Sequence, residues 1–259
     1  MSTTQQDLSV ALVQADQDWE NKEANLQRYS RLLQDVHCDL ILLPEMFHTG
    51  FTMQTALAED WNDSPALAWL KQTAKEKNAA IYTSFIVRDA GQCYNRGVFV
   101  TSEGSVDIYD KRRTFSLAGE DRHYQRGTEE KIVEYKGWKF QLQICYDLRF
   151  PELCRNRLDS NLQPAYDVLV YVANWPERRI AHWNALLKAR AIENQCNVLG
   201  VNRVGTDATG LQYNGASQYV NAMGETVLLP EHTETVQVVV MKMNELSKTR
   251  EIIPFLKDR

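Results

Sequence analysis

Three residues of different chemistry stand at the same kind of place in this chain. Glu45 follows the aliphatic run Asp39–Leu43, Lys111 ends the run Val106–Asp110, and Cys145 ends the run Trp138–Ile144. A thiol needs a neighbour to take its proton, and the oxyanion formed when it attacks a carbonyl needs a positive charge or hydrogen-bond donors. Carboxylate, ammonium and thiol supply those parts without a histidine. Each also has a plainer reading: a solvated loop carboxylate, a surface lysine, a core thiol. For Cys145 the following residues decide. Tyr146-Asp147 and then Phe150-Pro151-Glu152 make a strand–turn–helix elbow, which exposes its first residue and its backbone amides.

The other four cysteines, Cys38, Cys93, Cys154 and Cys196, read as small core hydrophobes. The five form no C-x-x-C pair and no cluster with histidine, which argues against structural zinc and against a disulfide framework. Scattered thiols suit a reducing compartment, so a cytoplasmic location is expected. His37, His48, His123, His182 and His232 are rival bases in principle. None lies in a recognisable cysteine-protease context, and His182 at a helix start reads as a capping or packing residue. Gly205 and Gly210 read as turn glycines, a weak signal for a nucleotide.

The elements that must position the trio alternate in type. Strands are expected at Leu8–Ala15, Asp39–Leu43, Ala80–Val87, Cys93–Thr101, Val106–Lys111, Trp138–Cys145 and Asp167–Ala173, then at Asn197–Asn202, Gln218–Ala222, Thr226–Leu229 and Thr235–Lys242. A helix from Asn21 to Val36 would bury Leu26, Tyr29, Leu33 and Val36. Ser64-Pro65 has the form of an N-cap and first helical residue, ahead of Leu67, Leu70 and Ala74. Ala181–Gln195 reads as a helix with Leu186, Leu187, Ala191 and Ile192 for its buried face, and a short helix starts at Pro151. The close links between the strands from 80 to 111 demand antiparallel pairing, so the sheet is mixed. The polar, aperiodic segment Arg112–Lys131 reads as a functional loop. No linker or repeat divides the chain, and a single α/β domain over residues 1–259 is expected. Open α/β sheets place ligands beyond their strand ends, which is where the trio stands.

Composition excludes much else. The chain has 259 residues, 44% hydrophobic and 24% charged, values at odds with disorder or a fibrous repeat. A formal charge of −5 gives no basic footprint for nucleic acid. The longest apolar runs are too short to cross a bilayer, and Met1–Asp7 is polar, without the pattern of a signal peptide. No nucleic-acid or membrane partner is therefore expected.

Several motifs then occur together and in order: LLPEMF (Leu42–Phe47), YDKRRTF (Tyr109–Phe115), QICYDLRFPE (Gln143–Glu152), ANWP (Ala173–Pro176), RAIENQ (Arg190–Gln195) and VNRVG (Val201–Gly205). From Leu8 to about Met243 the chain closely resembles the nitrilase superfamily of carbon–nitrogen hydrolases, and most of all its omega-amidase branch. The resemblance implies an αββα sandwich, a Glu45–Lys111–Cys145 triad, a supporting glutamate placed at Glu120, and a homodimer or larger homo-oligomer. It implies cysteine-dependent hydrolysis of the terminal amide of small carboxylate-bearing amides such as 2-oxoglutaramate and 2-oxosuccinamate, with no metal or organic cofactor. One departure stands beside Lys111: the family pattern K-x-H-L-F is replaced by Arg113 and Thr114 before Phe115.

Two further residues are expected at the substrate. The backbone N–H of Tyr146 would join Lys111 at the oxyanion. Arg149, four residues after Cys145, would hold the substrate carboxylate with paired hydrogen bonds; an ion pair with Asp147 or another acid is its plainer reading. The rival functions are a nitrile or N-carbamoyl hydrolase with the same triad, and a non-catalytic binding or scaffold protein.

Overall fold

The computed structural model describes residues 7–259; Met1–Gln6, within the polar start noted above, lie outside them. The first part of the chain runs β1 (Leu8–Gln14), α1 (Lys22–Leu32), β2 (Leu40–Leu42), the short β3 (Glu59–Asp60), α2 (Pro65–Lys77), β4 (Ala80–Asp89), β5 (Gln92–Val100) and β6 (Val106–Asp110). It continues through β7 (Ile132–Tyr135), β8 (Trp138–Ile144), β9 (Val168–Ala173), α3 (Ile180–Asn194) and β10 (Asn197–Asn202). A small hairpin of β11 (Val204–Thr206) and β12 (Gln212–Asn214) follows, then β13 (Gln218–Val220), β14 (Thr226–Leu228), β15 (Thr235–Met241) and α4 (Met243–Ile252).

Two mixed sheets result. One has the order β15-β1-β2-β4-β5-β6 with β3 added beside β4, and the other β14-β13-β10-β9-β8-β7. Each has three parallel strands at its centre, β1-β2-β4 and β10-β9-β8, with antiparallel strands outside them except the short β3, which pairs parallel with β4. Parallel strands need both faces covered, and the sequence alternation supplies both. Val10, Leu12, Leu40 and Leu42 face the second sheet, meeting Phe140, Leu142 and Ile144. Their neighbours Ala11, Val13, Ile41 and Leu43 face outward onto Tyr29 and Leu33, from α1 and its C-terminal cap, and Leu70 and Ala74 of α2. On the far side α3 lies against β10, where a Cβ on Gly200 would come 2.6 Å from Leu187 Cδ1. The architecture is the αββα sandwich.

The helix signals are local ones. Ser64 Oγ accepts the Leu67 amide at 3.1 Å, with Pro65 in the first turn, and Asn78 ends α2 in the left-handed conformation. α1 stops at Leu32 rather than Val36. Leu33 and Val36 still reach the core from a turn, a spacing that helical periodicity does not distinguish from a fourth turn of helix. Ile192 was expected on the buried face of α3 but is 44% exposed, whereas Arg190 and Asn194 are buried. Arg190 donates to the Leu148 carbonyl at 2.8 Å, and Asn194 accepts from the Asn156 amide at 3.0 Å. A polar side chain with partners outcompetes an aliphatic one for that stripe. The helix α4, the strands β3 and β7 and the hairpin β11-β12 are additions to the sequence reading. No helix among the described residues is long and apolar enough to cross a membrane.

Candidate active site

β2 and β4 are parallel, and β6, two antiparallel steps from β4, points the same way. Their carboxyl ends therefore share one edge, and the carboxyl ends of β8 and β9 meet it across the sandwich. Glu45 lies just past β2, Lys111 directly after β6, Cys145 directly after β8, and Asn174 directly after β9. The four residues expected to be catalytic, Glu45, Lys111, Glu120 and Cys145, are buried and converge here.

Lys111 is the hub. Its Nζ lies 2.8 Å from Glu45 Oε1 and 2.9 Å from each oxygen of Glu120. Its backbone is fixed on both sides: its amide donates to the Asn95 carbonyl at 3.0 Å, and its carbonyl accepts from the Gly127 amide at 2.9 Å. Glycine is needed there, since a Cβ on Gly127 would lie 2.1 Å from the Asp110 carbonyl oxygen. Asn95 Nδ2 bridges the two carboxylates, 2.8 Å from Glu45 Oε1 and 3.2 Å from Glu120 Oε1. Glu120 also accepts the Phe115 amide at 2.5 Å. The loop that carries it, aperiodic in sequence, is shaped by the 3-10 turns Ser116–Ala118 and Glu120–Arg122.

Glu45 is held from the opposite sheet. Its Oε2 accepts the Asn174 amide at 2.9 Å, and its carbonyl accepts from Asn174 Nδ2 at 2.6 Å and Gln17 Nε2 at 3.0 Å. The next residue, Met46, has φ +45°, and Cys145 itself has φ +44°. Left-handed backbone at non-glycine residues is costly and marks the sharp turns at the two strand ends. Cys145 opens the 3-10 turn Cys145–Arg149; the helix expected at Pro151 is only the 3-10 turn Pro151–Leu153, and Cys145 is buried and reached through the cavity instead of being exposed on an elbow. Its Sγ lies 3.9 Å from the Asn174 carbonyl oxygen.

Asp147 staples this elbow. Its Oδ2 accepts the Ile144 amide at 3.0 Å and the Tyr109 hydroxyl at 2.8 Å, and its Oδ1 accepts the Arg113 amide at 2.8 Å. Arg113, where the family pattern has histidine, contributes this amide to the site. Its side chain lies over Phe150, 5.2 Å from the ring centroid, with Glu152 3.6 Å away. Thr114 accepts from Arg126 Nε at 2.9 Å.

The electrostatics follow from burial and charge. Burial opposes the Lys111 ammonium, but Glu120 and Glu45 outweigh it and hold its pKa above the ordinary lysine value. Burial and the charge of Glu45 push Glu120 up against the pull of Lys111. Burial, then Glu45, raises the Cys145 thiol well above the usual range, while Lys111 pulls it down; a hydrogen bond to Glu45 adds to the rise. Burial and Glu45 together therefore favour the neutral form of this thiol.

A cavity of about 470 Å³ opens onto Cys145 and Lys111. Trp19, Phe51, Phe115, Trp175 and Tyr213 give it aromatic walls, and Arg149, Arg178 and Arg179 line it as cations. Asp207 also lines it, but its carboxylate is taken up by the Thr209 hydroxyl and amide, the Leu211 amide and the Tyr213 hydroxyl. Arg149 does not pair with Asp147. Its guanidinium lies on the Trp175 ring, 4.6 Å from the centroid, and Nη1 is 3.2 Å from His182 Nδ1. Tyr146 reaches the cavity too, its ring edge-on to Phe115 and Phe150. Sequence reading missed Asn95, Asn174, Asp147 and Arg179. Asn174 lay inside the quoted ANWP motif; Asn95, in mid-strand, carried no signal.

The family model for carbon–nitrogen hydrolases matches residues 9–251, and the chain belongs to that family. It is an amidohydrolase. Its sequence is 39% identical over 253 residues to the omega-amidase YafV of Escherichia coli K12, covering 97% of this chain and 96% of that one. It is 33% identical over 226 residues to the 2-oxoglutaramate amidase of Bacillus subtilis, covering 86% and 85%. Among solved structures, the CN-hydrolase superfamily protein XC1258 of Xanthomonas campestris, with an arsenic adduct in its active site, matches with a TM-score of 0.95 and 38% identity over 98% of this chain and 97% of that one. Yeast Nit3, a member of the nitrilase superfamily, shares the fold with a TM-score of 0.83 at 23% identity, over 96% of this chain and 95% of that one.

Proposed function

We propose that this enzyme hydrolyses the terminal amide of small carboxylate-bearing amides, 2-oxoglutaramate and 2-oxosuccinamate among them, through a thioester on Cys145. One observation carries the reading: the lone pairs of Glu45. An ionised carboxylate offers about four acceptor sites. Lys111 and Asn95 occupy those of Oε1, and the Asn174 amide takes one on Oε2. The remaining site on Oε2 is the place for the proton of the Cys145 thiol.

Glu45 takes that proton as Cys145 Sγ bonds to the amide carbon. The carbonyl electrons move onto oxygen, and the oxyanion lies against Lys111 Nζ and the backbone N–H of Tyr146. Tyr146 is second in its 3-10 turn, where an amide has no partner within the helix. Glu45 passes its proton to the nitrogen as the carbon–nitrogen bond breaks, releasing ammonia. Water then attacks the thioester and gives a proton to Glu45; the acid leaves, and the proton returns to the Cys145 sulfur. Glu120 keeps Lys111 charged and aimed. No step calls on a metal or organic cofactor.

The cationic lining supports an anionic substrate. Arg149 offers donors that no carboxylate of its own turn occupies, and we assign it to the substrate carboxylate. The five cysteines are unpaired, in keeping with a cytoplasmic location.

Ammonia release from a panel of ω-amides of 2-oxo acids, neutral amides, nitriles and N-carbamoyl amino acids tests the proposal. The ω-amides should turn over fastest. A preference for nitriles or N-carbamoyl compounds would replace the reading, and silence on every compound would point to a binding protein.

A further inference from the structure

Arg179 closes the 3-10 turn Glu177–Arg179, which links β9 to α3. Its backbone is fixed. The Arg179 carbonyl accepts from the Trp175 indole N–H at 2.8 Å, and Trp175 is clamped in turn by Asn202, which accepts its amide at 2.7 Å and donates to its carbonyl at 2.9 Å. The side chain is the reverse. It lines the cavity beside Cys145 and lies on the Phe115 ring, with Cζ 5.2 Å from the centroid. Among the described residues it makes no ion pair and no side-chain hydrogen bond.

That wall adjoins the reacting centre. The Phe115 ring packs on Tyr146, the residue after Cys145, with centroids 5.0 Å apart. A guanidinium has only donors, and those of Arg179, half-buried beside the cavity and committed to no protein acceptor, are free to meet a carboxylate that enters it. Burial and the neighbouring charge of Arg178 press on it further, lowering its pKa from the ordinary arginine value. Arg149 is more committed, with one nitrogen against His182 and its plane on Trp175. Trp175 thus serves both arginines, as a stacking surface for one and a backbone anchor for the other.

We propose that Arg179 is the principal carboxylate-binding residue of this enzyme, with Arg149 as the second donor. The inference rests on the reading that the substrate is an amide bearing a carboxylate. It narrows that class to molecules whose carboxylate reaches the Phe115–Trp175 wall while the amide carbon sits at Cys145.

The test compares kcat/KM for 2-oxoglutaramate and for the neutral pentanamide in wild type, Arg179→Met, Arg179→Lys and Arg149→Met. Inhibition by glutarate is measured in each as a binding readout. Loss of a charged hydrogen-bonding partner should lower the 2-oxoglutaramate to pentanamide ratio by roughly tenfold to a hundredfold in Arg179→Met. The change should lie mainly in KM, and glutarate should weaken by a similar factor. Arg179→Lys, which keeps the charge and loses the fork, should recover part of both. Equal losses on the two substrates would overturn the assignment and make Arg179 structural. A drop confined to Arg149→Met would overturn it in favour of Arg149 alone. Wild-type enzyme that prefers pentanamide and ignores glutarate would overturn the substrate reading itself, which the other two outcomes leave standing.

Discussion

The hydroxyl of Tyr109 donates to Asp147 Oδ2 at 2.8 Å, and this bond joins the strand that leads into Lys111 to the turn that begins with Cys145. The same carboxylate takes the Arg113 amide, two residues beyond Lys111, and the Ile144 amide, one before Cys145. The lysine and the thiol come from different sheets. Asp147 sets their separation from one point.

Tyr109→Phe removes one of three donors from a buried carboxylate. A hydrogen bond to a charged group contributes about 1.5–3 kcal/mol, and the variant should lose stability in that range. It should also lower kcat more than it changes KM, because the bond positions reacting groups and does not touch substrate. Urea unfolding with steady-state kinetics checks both; unchanged stability would remove Asp147 from this role.

Asp147 also predicts a pH dependence. Burial raises its carboxyl from 3.8 to about 6. The folded chain therefore holds this proton more tightly than the unfolded chain does. The associated stability is fully present below the unfolded value and is lost as pH rises through about 6. A shift of about two units corresponds to about 3 kcal/mol. Asp147→Asn has no such proton, so wild type should gain about that much over the variant between neutral pH and about pH 4. Unfolding of both proteins across the window reads the difference, and a constant difference would contradict the assignment.

Cys145→Ala should abolish turnover and leave the fold intact. In wild type, acid quenching during turnover followed by mass spectrometry should find the acyl group on Cys145 and on none of Cys38, Cys93, Cys154 or Cys196. Cys154 and Cys196 are buried with raised thiol pKa values and do not line the cavity. Substantial activity without Cys145 would end the thioester mechanism.

Lys111→Met removes the cation from between Glu45 and Glu120. Loss of an oxyanion donor typically lowers kcat about a hundredfold to a thousandfold, and an uncompensated buried charge costs about 3–5 kcal/mol of stability. Glu45→Gln, which removes the base, should be at least as harmful to kcat. The double variant Lys111→Met with Glu120→Gln should regain stability relative to Lys111→Met, since one stranded charge is gone, and regain no turnover. Recovery of activity in the double variant would show that Lys111 acts only as a counter-ion.

Glu45, Lys111 and Cys145 were legible because their signals are local. Each stands at or just past the end of a segment with strand character, aliphatic before Glu45 and alternating before Lys111 and Cys145, and strand ends are where a sheet exposes reactive groups. The order of strands and helices was legible for the same reason, since a two-residue period and a Ser-Pro cap act within a few residues. Glu120 came from resemblance, and its place opposite Lys111 depends on a loop without any period. The end of α1 and the burial of Arg190 instead of Ile192 escaped, because apolar spacing records which side chains could be buried and not which partners await them.

Hydrogen bonds between distant segments are of another kind. Asn95 reaches both carboxylates, Asn174 holds Glu45 from the opposite sheet, and Asp147 ties two strand ends together. The motifs around Asn174 and Asp147 mark their places and not their partners, and Asn95 has no motif at all, because each bond forms only after the two sheets have packed. By itself the sequence determined most of the strands, the Ser64-Pro65 cap and the placing of Glu45, Lys111 and Cys145 at strand ends. Tertiary structure decided the distances among those residues, the partners of each lone pair and the cations that line the cavity, since a hydrogen bond requires approach within about 3 Å and only the packed sandwich brings those edges so close.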